Sequence, residues 1–348
     1  MRRLAMVVSL LALGACTSSV TESSPAAGLN TTVASATDEA TATVATTVAP
    51  IGTDAATTTA SNTATTATVE TIAATSPAAA TSSTVGLTTD RPYEVFVPSS
   101  YDAARALPLV ILLHGYTASG AIQEAYFQLQ PLAEQRGFLY VHPDGLKDRA
   151  GNQFWNATDA CCDFARPDVD DSAYLSAIID QIEAKYSVDP KRIFFVGHSN
   201  GGFMSYRMAC DHADRIAAIA SLAGETFADA AACTPSEPVS VLQVQGTADK
   251  TINYQGGSII GHDYPGAKAT VATWAGYDGC ATTSTDAPTK LDLEAKIVGD
   301  ETTVSAFAGC RNSSAVELWT IDGAGHIPAL APTFSAMVID FLFAHPKP

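Results

Sequence analysis

Between residues 17 and 89 the chain contains no lysine, no arginine and no aromatic residue, and only five acidic ones. Thr, Ala, Ser and Val make up most of the stretch. Without large side chains it cannot bury enough apolar surface to offset the entropy of ordering it, which excludes a packed domain there. Positive charge is scarce throughout: 19 Lys and Arg stand against 36 Asp and Glu, a net −17. Nucleic acid and anionic lipid both call for basic patches, so neither is expected as a partner. No C-x-x-C spacing occurs and the cysteines do not cluster with histidines, which argues against a metal site. The apolar run from Leu4 to Ala15 is too short to span a bilayer.

That run follows Arg2 and Arg3 and ends in "LGAC", the layout of an export signal. Leu13, Gly14 and Ala15 fit a bacterial lipobox position by position. Residues 1–16 therefore read as a lipoprotein-type signal peptide, with Cys16 as the lipidated first residue of the mature chain. The alternative is an ordinary cleaved signal with an incidental cysteine. Residues 17–89 then form a disordered Thr/Ala/Ser-rich tether with a root-mean-square span of roughly 40–50 Å. Residues 90–348, net −14 on their own, suffice for one domain with a substantial core. The expected location is the cell surface or the periplasm, on a lipid anchor that is the chain's one link to membrane, and otherwise secretion. Export favours disulfides among the six remaining cysteines. The sequence-local pairs Cys210 with Cys233 and Cys280 with Cys310 are preferred. The adjacent Cys161 and Cys162 either form a vicinal disulfide or stay reduced.

Short β-rich apolar runs fall at 93–97, 109–113, 138–141, 193–196, 216–222, 239–244 and 316–321, with helical patterns at 172–186, 201–210, 265–277 and 332–343. Continuous apolar strands separated by helices imply an α/β fold with a parallel sheet covered on both faces. Within it, "VGHSNGG" places Ser199 directly after the strand "RIFFV" and directly before a helix starting near Gly201. That strand–turn–helix setting is what a nucleophile elbow requires, and the sharpness of the turn accounts for Gly197, Gly201 and Gly202. A serine hydroxyl needs a base to take its proton. His326, in the glycine-rich "DGAGHIP" after the last strand, is the candidate. His198 is expected to pack beside the elbow. Asp249, in "GTADK" after the strand "VSVLQVQG", is the candidate third member, and the order Ser199, Asp249, His326 is that of α/β-hydrolases. Asp322 and Asp263 remain as alternatives, whereas Asp170 and Asp171 are explained by a helix cap. The backbone N–H groups of Asn200 and of Tyr116, in "HGYTASG", would form the oxyanion hole. Trp155, Tyr116 and the loop-opening His114 are candidates for substrate contact, with core packing the alternative for Trp155.

So assembled, the chain resembles the extracellular polyhydroxybutyrate depolymerase and feruloyl esterase group of α/β-hydrolases from about Arg91 to its C-terminus. The resemblance rests on "LLHGYTASG", "FWNATDACCDF" followed by "VDD", "VGHSNGGFMSYRMAC", "QGTADKTINYQGG" and "GAGH". It implies Ser199 as nucleophile, Asp249 and His326 as its partners, and an oxyanion hole at Tyr116 and Asn200. Two departures stand out. Many members follow the histidine with tryptophan, whereas Ile327 and Pro328 follow His326 here. Polymer-degrading members often carry a substrate-binding module on a Thr-rich linker, whereas here the Thr-rich segment leads to Cys16.

The expected activity is hydrolysis of a carboxylic ester through an acyl-enzyme, without metal or organic cofactor. The expected substrate is a polyester oligomer or a hydroxycinnamoyl or carbohydrate ester. The rivals are an acyltransferase on the same fold and a non-catalytic surface binding protein.

Overall fold

The computed structural model describes residues 81–84, 91–162 and 169–348, all within one compact unit spanning Ile72–Pro348. The signal segment, Cys16 and most of the tether lie outside the described residues. The N-terminal half supplies β1 (Thr81–Thr84), β2 (Glu94–Val97), β3 (Leu107–Leu113), α1 (Gly120–Phe127), α2 (Leu129–Arg136) and β4 (Leu139–Val141). After a small hairpin of β5 (Leu146–Lys147) and β6 (Gln153–Phe154) come α3 (Asp171–Lys185), β7 (Val188–His198), α4 (Asn200–Asp211), β8 (Ala218–Leu222) and β9 (Ser240–Gly246). A second hairpin, β10 (Gly256–Ile259) with β11 (His262–Pro265), leads to α5 (Ala267–Tyr277). The chain ends with β12 (Ser284–Asp286), β13 (Thr302–Phe307), β14 (Val316–Ile321) and α6 (Phe334–Ala344).

Among the described residues, ten strands form one sheet in the order β1-β2-β4-β3-β7-β8-β9-β14-β13-β12. The six central strands, β4 to β14 in that order, are parallel. The four edge strands are antiparallel, so the sheet is mixed rather than parallel throughout. The eight residues between β13 and β14 can turn a hairpin but cannot make a crossover. β1 departs from expectation too. Thr81–Thr84, four residues of the stretch read as tether, pair with β2, because an edge strand needs backbone hydrogen bonds more than large side chains.

Two apolar clusters lie on opposite faces of the sheet. Leu109, Ile111, Leu113, Ile193, Phe195 and Val241 pack with α3, α4 and α5 residues. Val110, Leu112, Phe194, Val196, Leu242 and Val244 pack with α1, α2 and α6 residues. The period-two alternation of a strand thus splits each continuous apolar run between two covered faces, which is why these strands show no polar alternation. Full burial of each Leu, Ile or Phe contributes roughly 1.5–3 kcal/mol. Pro108 has no N–H to give the ladder, and the register shifts between Leu107 and Leu109.

Among the described residues, three disulfides join Cys210 to Cys233, Cys280 to Cys310 and Cys161 to Cys162. The parallel centre sends the carboxyl ends of β7, β9 and β14 to one edge of the sheet. That edge collects the site.

Candidate active site

β7 ends at His198 and α4 begins at Asn200, leaving Ser199 alone to reverse the chain. It does so at φ 55° and ψ −121°, in the left-handed half of the map where a side chain is strained. Its N–H donates to the Leu222 carbonyl on β8 at 2.8 Å, and its carbonyl accepts from Phe203 at 3.0 Å. The surrounding backbones approach too closely for side chains. A Cβ at Gly197 would lie 2.1 Å from the Gly201 carbonyl oxygen, and one at Gly201 would lie 2.2 Å from that of Leu113. The hydroxyl is left half-buried at the N-terminus of α4, the positive end of the helix.

His326 lies on the loop between β14 and α6, with Nε2 at 2.9 Å from Ser199 Oγ. Its Nδ1 lies 2.8 Å from Asp249 Oδ2. Asp249 is buried in the turn after β9, where Oδ1 accepts from the N–H groups of Thr251 and Ile252 at 2.8 and 2.9 Å. Oδ2 also accepts from Gln245 Nε2 at 3.0 Å. Neither alternative aspartate approaches this role. Asp322 accepts from the Thr247 hydroxyl, and Asp263 is exposed on the β10–β11 hairpin. Asp170 caps α3 by accepting from Ala173 N–H, and Asp171 forms a buried ion pair with Arg91 at 2.7 Å.

The loop carrying His326 is clamped from two sides. His198 Nε2 lies 2.9 Å from the His326 carbonyl, so that nitrogen carries the proton and donates it. Burial first, and then the neighbouring His326, push the His198 imidazole down to about 4. Tyr126, whose ring packs at a tilt against His198, donates its hydroxyl to the Pro328 carbonyl at 2.7 Å. On the other side runs a strap, residues 291–301. Ala295 N–H donates to the Ala329 carbonyl and Ala331 N–H to that of Leu293. The Glu294 carboxylate accepts from Ala329 N–H. The buried Glu301 closes the strap by accepting from Leu293 N–H, Glu294 N–H and the Thr302 hydroxyl.

Two substrate-contact candidates are corrected. His114 and Trp155 are both fully buried. His114 Nε2 accepts from Gly145 N–H at 2.8 Å, which leaves Nδ1 to donate to the Gly115 carbonyl. Burial pushes the pKa of His114 down. Trp155 donates its indole N–H to the His114 carbonyl, and Arg91 lies over its ring. Both residues are buried beneath the site and brace its loop. Tyr116 is half-buried and donates its hydroxyl to Asp148 Oδ2 at 2.6 Å. The fully buried Asn200 exchanges two side-chain hydrogen bonds with the Trp155 backbone, at 2.7 and 2.8 Å. This fixes the first residue of α4, whose N–H has no partner within the helix.

Sequence reasoning passed over Gln245, the donor role of His198 and the strap. Two glutamines alternating in an otherwise apolar strand were a visible signal for the first. The strap offers none, because its holds are main-chain bridges and two carboxylates, Glu294 and Glu301, in a run that looks solvated.

Residues 108–262 match the family described as alpha/beta hydrolase fold, a span that includes Ser199 and Asp249 but stops short of His326. Feruloyl esterase B of Piromyces equi is 32% identical over 237 residues, covering 66% of this chain and 41% of the relative. A putative esterase of Nocardia uniformis subsp. tsuyamanensis, NocK, is 31% identical over 159 residues, covering 45% of this chain and 44% of the relative. This chain thus spans less than half the length of these curated relatives. Among solved structures, the acetyl xylan esterase from Aspergillus awamori superposes with a TM-score of 0.54 at 16% identity, over 76% of this chain and 99% of that one. The chain therefore has the α/β-hydrolase fold. Within that class its likeness is to the feruloyl esterase group.

Proposed function

We propose that the protein is a serine carboxylic-ester hydrolase. The observation that carries this is the unbroken hydrogen-bonded line from Ser199 Oγ through His326 to the buried Asp249 carboxylate, on a strained elbow at the edge of the sheet. In this reading Ser199 attacks the ester carbonyl while His326 Nε2 takes its proton. Asp249 holds the imidazole by Nδ1 and stabilises the charge it acquires. The backbone N–H groups of Asn200 and Tyr116 receive the developing oxyanion, each contributing about 3 kcal/mol to transition-state stabilisation. The proton passes from His326 to the departing alkoxide, the alcohol leaves, and Ser199 remains acylated. A water molecule, deprotonated by the same imidazole, then releases the carboxylic acid and restores the serine.

Hydroxycinnamoyl esters of carbohydrates are the proposed substrates, a choice supported by the likeness to feruloyl esterases. Export on a lipid-modified Cys16, with residues from 17 up to β1 as tether, completes the proposal. The test is hydrolysis of methyl ferulate, an acetylated xylo-oligosaccharide and a 3-hydroxybutyrate oligomer by the full chain and its Ser199→Ala variant. Ferulate release should be fastest and should fall by a factor of about a thousand or more in the variant. A fluorophosphonate should label the parent at Ser199. Hydrolysis and labelling that survive in Ser199→Ala, or the absence of both from the parent, would discard the reading.

A further inference from the structure

β9 runs Ser-Val-Leu-Gln-Val-Gln-Gly, and a buried strand carries two glutamines at a cost unless they are paired. Gln243 and Gln245 are two residues apart, so they share one face of the sheet, and both are fully buried. The Tyr206 hydroxyl, on α4, donates to Gln243 Oε1 at 2.8 Å. Gln243 Nε2 donates to Gln245 Oε1 at 3.3 Å. Gln245 Nε2 in turn donates to Asp249 Oδ2 at 3.0 Å and to the Ile252 carbonyl at 2.8 Å. Asp249 Oδ2 is the oxygen that faces His326 Nδ1.

The direction of this chain is fixed from its triad end. The Asp249 carboxylate and the Ile252 carbonyl only accept, so Gln245 must turn its nitrogen toward them and its oxygen toward Gln243. Gln243 then turns its nitrogen toward Gln245 and its oxygen toward Tyr206, which donates. Burial pushes the Tyr206 phenol well above its ordinary range, which keeps it a donor. Burial likewise pushes the nearby Glu225 carboxyl well up.

We propose that Gln245 is a positioning residue for the reaction. Its amide, oriented by Gln243 and Tyr206, gives Asp249 Oδ2 a second donor and ties the turn that carries Asp249 to β9. Oδ1 is already held by two backbone N–H groups, so Gln245 removes the remaining freedom of the carboxylate to rotate away from His326. The proposal rests on the Ser199, His326 and Asp249 reading above. It differs from ordinary satisfaction of buried amides in one respect: breaking the chain should alter turnover and the His326–Asp249 hydrogen bond, and not only stability.

The test uses the full chain with Gln245→Met, which keeps the side-chain length and removes the donor. On whichever ester the parent hydrolyses, kcat should fall about tenfold to a hundredfold, the scale of a small misplacement of a reacting group, with KM little changed. The His326 Nδ1 proton, observed downfield in the proton NMR spectrum, should shift or broaden. Tyr206→Phe deletes one distant hydroxyl at constant volume. It should move the same resonance in the same sense, with a smaller loss of kcat. The proposal is overturned if folded Gln245→Met retains the parent's kcat and downfield resonance. Should Gln245→Met fail to fold, Tyr206→Phe decides by the same two readouts. Failure of the triad reading is separable: it appears as Ser199-independent hydrolysis in the parent. The downfield resonance, which needs only His326 and Asp249, still reports whether Gln245 orients the pair.

Discussion

Ser199 and His326 come within 2.9 Å of each other, and the chain holds them by opposite means. Ser199 is fixed by backbone against backbone: two glycines, Gly197 and Gly201, let β7, α4 and the end of β3 approach to distances no side chain survives. His326 sits on a loop of twelve residues between β14 and α6, held by hydrogen bonds from elements distant in sequence. These come from His198 at the elbow, from Tyr126 on α1 and from the strap at 291–301. Steric fixation is local and tolerates no added atom. Polar fixation is distributed, so removing one hold should weaken it by degrees and, where a carboxylate is involved, in a way that depends on pH.

The largest effect should come from adding one methyl group at the elbow. Gly201→Ala places Cβ 2.2 Å from the Leu113 carbonyl oxygen and 2.7 Å from that of His114, neither of which can swing aside. A loss of about 3 kcal/mol or more is expected, with failure of Ser199 to react with a fluorophosphonate. Denaturant unfolding together with labelling checks it. A variant of parental stability that still labels would mean that the elbow is not held sterically.

An intermediate effect is expected at the strap. Glu301→Gln keeps an acceptor for Leu293, Glu294 and Thr302 but replaces charge-assisted hydrogen bonds with neutral ones, at about 1–2 kcal/mol. Burial pushes the Glu301 carboxyl up, yet the hydrogen bonds from Thr302 and from the backbone outweigh it and hold the group below its usual range. A carboxyl lowered on folding stabilises the native state above its unfolded pKa, and that stabilisation is lost as pH falls through the folded value. The deficit of Glu301→Gln in thermal unfolding should therefore be complete at neutral pH and close in acid. A deficit independent of pH would assign the strap to shape alone.

The same contrast explains what could be read in advance. The elbow was legible because steric demands leave glycines, and because the apolar run before it and the helical pattern after it are local. Ser199, Asp249 and His326, named from motif order, are brought together by the fold. The support of His326 was not legible. "LDLEAKIVGDE" looks like a solvated acidic run, and only the fold shows that Glu294 and Glu301 turn inward to bind backbone. His114 and Trp155 failed for the converse reason: aromatic rings beside a motif look alike in sequence whether they line a site or brace it. The central parallel strands announced themselves through continuous apolar runs. α1 did not, because "GAIQEAYF" opens on glycine, nor did the exposed β12, which buries no face.

The smallest effect at neutral pH is expected at His198, which belongs to both halves of the comparison. It is the last residue of β7 and donates to the His326 carbonyl, with its ring between those of Tyr126 and His326. His198→Phe preserves the ring and deletes the donor. Activity should fall about fivefold, the worth of one net hydrogen bond, with stability at pH 7 close to that of the parent. The distinguishing readout is the pH dependence of unfolding. Burial, reinforced by His326, brings the His198 imidazole to about 4 in the folded state, against 6.5 for an unhindered histidine. Between those values the unfolded chain binds the proton and the native chain does not, so this residue lowers native stability as pH falls from 6.5 toward 4. His198→Phe should lack that component of the slope and overtake the parent in mild acid. If the two melting curves keep a constant offset across that window, His198 is not held neutral, and the clamp on His326 must rest on Tyr126 and the strap.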